Sequence, residues 1–461
     1  MKLTKKSEIL IIVSFYLIAL FLSPADYFSG GIIDSIRRAL PVILAGIMSL
    51  IIFYDNRRNL KVLLKNKVPL ILYCLTIFWF FLTFLFGIKT GIESFKGFIH
   101  FSVLLTYVFT LFNVSYTEEN KKIIKKHIFI AFLISVFIGV IQYVFEINLN
   151  TYNNAKYPGI LGRINSTFYI ATLFDKFMVM MFPVITYELL NDKDNKWYKL
   201  LLAASMIGVT LTFSRSGQLI YLVMAFVFFV ITLFKKQYKN SILMCLLISI
   251  MILIPGAKYS VQSALDYAYE TVHMPKALQV DFVKILNGEK KPIIKDVEAG
   301  KCADSDCVGD EEGSKFFRDY YKKVGMALLK ERPIFGVGVG NYYYLYINQN
   351  ARDYLTDDSI ISDEYHYMYP HNGYIQVLCE TGYVGLILIS SFFLSIALTK
   401  LIKTNNKLNY YLLIMLILGF SISSITECLF HSKQYIYLFA IIYGVYCSSF
   451  NAKKDKIKEK A

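Results

Sequence analysis

Apolar residues run through this chain in long stretches, separated by short polar breaks. An apolar run of roughly 18 or more residues can cross a hydrocarbon core about 30 Å thick. Twelve runs are read as spanning helices: 8–23, 39–54, 68–87, 97–114, 127–145, 167–187, 198–213, 216–234, 241–255, 373–399, 408–424 and 433–450. The shorter ones are accommodated by tilt and snorkelling. The fourth and sixth carry polar residues and are expected to face other helices. Within the sixth, Asp175 and Lys176 are adjacent, so they should point to different helix faces, and no pairing is expected.

One connection breaks the pattern. Residues 256–370 are polar and long, where all other loops are short. A loop of that length is expected to be functional. The chain thus divides into 1–255 with the first nine helices, 256–372 as a large loop, and 373–461 with three more helices and a tail. The fold class is all-α integral membrane, with about twelve transmembrane helices and one long, partly helical extracytoplasmic loop.

Composition agrees. Hydrophobic residues make up 56% and charged residues 18%, and the mean hydropathy is +0.47, which excludes an ordinary soluble domain. The net charge of +15 is mostly a topology signal. With the N-terminus inside, the cytoplasmic segments hold about three times as many Lys and Arg as the short outer loops. Both termini are then cytoplasmic and the long loop is outside. Nucleic acid is not expected as a partner, because the basic residues are scattered over short loops. No small-residue cleavage site follows the first run, so it is read as a retained helix.

Within the long loop, the stretch NGEKKPIIKDVEAGKCADSDCVGDEEGSK is polar and reads as an exposed excursion. Cys302 and Cys307 lie there, in a compartment that permits a disulfide. The acidic run lacks the spacing of a calcium loop. The following segment, FFRDYYKKVGMALLKERPIFGVGVGN, begins with a helical pattern at Phe317, Tyr320, Tyr321, Val324, Ala327 and Leu328, stopped by Pro333. Gly336, Gly338 and Gly340, ahead of Asn341, permit tight turns against the membrane mouth. A dinucleotide fingerprint is rejected, since no strand precedes these glycines.

Several chemically capable side chains share the outer face. His371 and Asn372 precede the tenth helix, and Glu380 and Gly382 lie within it. Arg215 sits at a tight turn, Arg163 just before the sixth helix, and Arg318 and Arg332 in the long loop. Arginine binds phosphate oxygens in pairs through its planar fork. A set of arginines around one histidine suits an anion whose reaction needs a proton removed. An interfacial arginine is ordinarily only an anchor, which is the reading taken for Arg37, Arg38 and Arg352. Glu380 is off the face of His371, so it is expected to anchor its helix to a neighbour. His273 and His431 show no evident partner.

TFSRSG, FRDYYKKVGMALLKERPIFGVGVGNYYY and PHNGYIQVLCETGYVGLI together resemble the O-antigen ligase and Wzy-type polysaccharide polymerase superfamily. The resemblance implies glycosyl transfer from an undecaprenyl-diphosphate-linked glycan donor to a glycan acceptor, at the outer face of a bacterial cytoplasmic membrane. It implies His371 as the base that takes the acceptor proton. It implies Arg215 and Arg318 as the diphosphate clamp, Arg163 as a further arginine and Arg332 as a secondary one. No metal or other cofactor is implied, and membrane lipid and a chain-length regulator protein are the further partners. A polymerase that joins repeat units of O-antigen, capsule or exopolysaccharide is preferred to a ligase that moves a finished glycan to a lipid, protein or wall acceptor. A polysaccharide transporter or flippase is the outside competitor, with Asp175 and Lys176 as its best signal. A metal-dependent oligosaccharyltransferase is disfavoured, because Asp26 and Asp34 in the first outer loop are not a close pair.

Overall fold

The computed structural model describes residues 1, 3–21, 32–57, 66–87, 92–145, 164–168, 171–254, 322, 324–342, 370–402 and 406–448. Arg163, Arg318, Cys302, Cys307 and most of the long loop lie outside these residues. Among the described residues the fold is helical, without strands.

The helices follow the apolar runs. They are α1 (Lys5–Tyr16, prolonged by a wider turn over Leu17–Phe21), α2 (Ile32–Asp55), α3 (Lys67–Phe86), α4 (Ile92–Asn113), α5 (Glu118–Val144), α6 (Ala171–Asn191), α7 (Lys196–Leu211) and α8 (Arg215–Phe234). Next come α9 (Tyr238–Ile254) and a short α10 over 324–331. The last three are α11 (Gly373–Leu401), α12 (Lys407–Thr426) and α13 (Lys433–Ser448). Six are long and apolar enough to cross a membrane: α3, α4 from Ser94, α5, α8, α11 and α12.

Local chemistry sets the ends. Thr117 caps α5 in a reciprocal box with Asn120, which satisfies amides that the first helical turn leaves without partners. Asn195 and Asn406 cap α7 and α12 through their side-chain oxygens.

Helix α6 is buried along almost its whole length against α7, α8 and α12. Its polar groups are used between helices. Thr186 shares a hydrogen bond with the Tyr411 hydroxyl at 2.7 Å, and Tyr187 donates to Asn409 at 2.9 Å. Such bonds join helices where lipid tails supply no hydrophobic drive to associate. The outward faces are apolar, for example Phe78, Phe137, Leu219, Phe226 and Ile387, as lipid contact requires. Cys74 and Cys245 lie on this exposed surface, while Cys379 and Cys428 are buried.

Candidate active site

His371, Asn372 and Glu427 meet where α11 begins and α12 ends. Asn372 caps α11, its side-chain oxygen accepting from the amides of Tyr374 and Ile375 at 3.0 Å each. The cap leaves His371 just outside the helix with φ +46. Non-glycine residues rarely adopt this left-handed backbone, and such strain gathers at functional sites. Its Nδ1 faces Glu427 Oε2 at 3.6 Å, the histidine side chain being 22% exposed and the carboxylate 8%. The two chain ends approach closely at Gly373, where an added Cβ would stand 3.2 Å from the Glu427 carbonyl oxygen. Burial raises the Glu427 carboxyl, but the adjacent His371 and the charge of Lys176 outweigh it and hold the group below its ordinary value.

Arg215 lies on the turn between α7 and α8. The turn before it puts Phe213 at φ +49, and Ser214 donates its amide to Thr212 Oγ1 at 3.2 Å. Arg215 is the exposed first residue of α8. A helix N-terminus and a guanidinium together favour an anion. Directly beneath, Lys176 Nζ lies 3.0 Å from Ser216 Oγ and 3.1 Å from Asp175 Oδ1. The sequence argument against a pair at adjacent helical positions is therefore corrected. Both side chains are wholly buried, so the long lysine stem folds back to its neighbour rather than leave either charge alone.

The glycine-rich segment braces α11 from the other side. Val337 N donates to Cys379 O at 2.8 Å, Gly338 N to Glu380 O at 2.9 Å and Tyr383 N to Pro333 O at 2.9 Å. Gly336, Gly338 and Gly340 all have positive φ, as does Gly382, where α11 breaks. Asn341 holds the turn by donating to Val337 O at 2.9 Å. On α3, Trp79 donates its indole N–H to Thr381 O at 2.9 Å. Val324, Leu328 and Leu329 of α10 pack with Val337, Tyr342 and Cys379 in a small core of their own.

Glu380 points away from His371 and meets His431 Nε2 at 3.0 Å. His431 thus has the partner that the sequence did not reveal. Arg332 is exposed and donates to the Phe86 carbonyl at 2.9 Å, at the C-terminal end of α3. Arg163 and Arg318 lie outside the described residues. The segment after Arg163 is firmly held, with Ser166 at φ +53, its amide donating to Gln142 Oε1 at 2.6 Å, and Thr167 Oγ1 donating to Ala19 O at 2.6 Å. Among the described residues, no three His, Cys, Asp or Glu side chains group to hold a metal ion.

Sequence reasoning missed Glu427. Its signal was ITECLFHSK, a short outer turn whose single carboxylate sits against the end of an apolar run.

Residues 200–390 match the family described as O-antigen ligase (Wzy_C), and the resemblance to the O-antigen ligase and Wzy superfamily holds over this stretch. The match includes Arg215, the glycine-rich segment, His371 and Glu380, and it stops short of Glu427 and His431. No curated protein matches the chain.

Proposed function

We propose that this chain, an integral membrane protein bearing an O-antigen ligase stretch over residues 200–390, joins undecaprenyl-diphosphate-linked oligosaccharide repeat units. The reaction takes place at the outer face of the bacterial cytoplasmic membrane, with both chain termini inside. The observation that carries the reading is His371, partly exposed on a strained backbone and backed by the buried carboxylate of Glu427.

With Nδ1 turned to Glu427, Nε2 is left for the acceptor. An acceptor hydroxyl oxygen attacks the anomeric carbon of the donor sugar. The bond from that carbon to the diphosphate oxygen breaks, and its electron pair leaves with the diphosphate. The hydroxyl proton passes to His371 Nε2, and Glu427 stabilises the imidazolium that results. Arg215 meets the charge growing on the leaving group, helped by Arg318 and Arg163, with Arg332 secondary. A lipid diphosphate is already a good leaving group, so stabilising its charge is the larger task, and two or more arginines supply it without a metal. The substrates are lipid-anchored, which accounts for a base at the mouth of a helix.

A ligase acting on a lipid, protein or wall acceptor is the second reading, favoured by the description of the matched family. The test incubates purified protein with one lipid-diphosphate-linked repeat unit, with and without a chelator, and sizes the products. A chelator-resistant ladder supports polymerisation. Transfer that needs an added acceptor supports ligation. Undiminished transfer by inserted, stable His371→Ala refutes the base.

A further inference from the structure

Lys176 and Asp175 take no part in the step above, yet both charges are wholly buried in α6. A buried ion pair is poor evidence for stability, because well-packed apolar residues often serve as well. The contacts of this one are specific. Lys176 Nζ reaches Ser216 Oγ at 3.0 Å, on the residue that follows Arg215. Asp175 fills the space under Gly217, where an added Cβ would stand 2.3 Å from its Cγ. Ser216 Oγ in turn lies 3.4 Å from Ser214 Oγ. The Lys176 charge also acts on Glu427. One ammonium is thus bonded to the turn that bears Arg215, from a helix packed against α12, which ends beside the carboxylate behind His371.

We propose that Lys176 is a positioning residue, which fixes the Ser214–Gly217 turn relative to the Glu427–His371 pair, with Asp175 as its buried counter-charge. This rests on the glycosyl-transfer reading. The ammonium sets the distance between the donor's diphosphate and the base, so that the acceptor oxygen is held in line with the bond that breaks.

The test compares Lys176→Met, Asp175→Asn and the double variant with wild type and His371→Ala, measuring insertion, thermal unfolding, kcat and donor KM. Each single change strands a buried charge and is expected to destabilise. The double variant strands none, and should insert and unfold near wild type. Its kcat should still fall about a hundredfold, the scale of a misplacement of about 1 Å. In that background Glu427→Gln should cost far less than in wild type, because the two act as one unit. A stable double variant with wild-type kcat overturns the proposal and leaves the pair a packing device. Should the double variant fail to insert, Ser216→Ala at a half-buried position carries the test, and wild-type kcat there overturns the proposal. Wild-type protein without product, or an active His371→Ala, would instead overturn the parent reading.

Discussion

Gly382→Ala tests how the rim is held together. Gly382 has φ +69 and ψ −178, a region open essentially to glycine alone, and a side chain there costs about 1–3 kcal/mol. An alanine Cβ would stand 1.9 Å from the Ile334 carbonyl oxygen and 2.3 Å from its carbon, so the segment from Pro333 to Gly338 must lift away. Three backbone hydrogen bonds tie that segment to α11, from Val337 to Cys379, Gly338 to Glu380 and Tyr383 to Pro333. Each contributes about 0.5–1.5 kcal/mol net. Strain and lost bonds together come to about 4 kcal/mol, large for a single methyl group. Gly46→Ala in α2 is the control, since its Cβ would meet nothing nearer than Val103 Cγ1 at 3.9 Å, and helix-interior alanine is preferred by about 0.5–1 kcal/mol. Thermal unfolding in micelles reads both. At this chain length 1 kcal/mol moves Tm by about 1 °C if the chain unfolds as a unit. Gly382→Ala should therefore lose about 4 °C and most transfer activity, with Gly46→Ala at or above wild type. If Gly382→Ala unfolds no earlier than Gly46→Ala, the account of the broken helix and its brace is wrong.

Other measurements reach the remaining contacts. Glu427 is held below its ordinary value of 4.5, so its stabilising effect is full above that pH and is lost as pH falls through the lowered folded value. Melting curves of wild type and Glu427→Gln should converge as pH drops below 4.5, and a constant gap would count against the pairing with His371. Arg332→Gln should lower stability by about 1 kcal/mol through the lost Phe86 contact and raise donor KM only slightly, as suits a secondary clamp residue; a large rise in KM would make Arg332 a primary one. Trp79→Phe removes the indole donor from Thr381 and should cost about 1 kcal/mol, read by chemical unfolding, with no loss if that bond contributes nothing.

Much of the architecture was legible because lipid permits few solutions. Among the described residues each of the twelve apolar runs contains a helix, six of them long and apolar enough to cross a membrane, where backbone amides must be satisfied within the segment. Gly336, Gly338 and Gly340 were legible as turn formers, and all have positive φ. Gly382, inside an apolar run, gave no sign of the break it makes in α11. The pairings were not legible. Periodicity along one helix relates neighbours on that helix, and it is silent on what a turn far along the chain brings over. Glu427 and His431 were therefore invisible as partners. Asp175 and Lys176 were misjudged because ideal side-chain directions on a helix were allowed to decide, whereas burial of both charges leaves them no other counter-ion of equal reach.

The rim contains two reciprocal staples, and the difference between them bears on which histidine suits the proposed base. Glu427, at the end of α12, faces His371 before α11, while Glu380, within α11, faces His431 in the turn after α12. Each carboxylate is buried and each imidazole is less so, hence both pairs tie α11 to that turn. Chemistry separates them. His431 sits against the rings of Phe101 and His100, with centroids at 5.3 and 6.4 Å, its side chain 13% exposed. An acceptor oxygen has little room to approach it. His371 is more open, at 22%, stands on a left-handed backbone that no helix requires, and shares its partner with the ammonium beneath the Arg215 turn. A base must meet substrate and must sit at a set distance from the leaving group. In the proposed reaction the more open His371 is the base, while His431 and Glu380 tie α11 to the turn after α12.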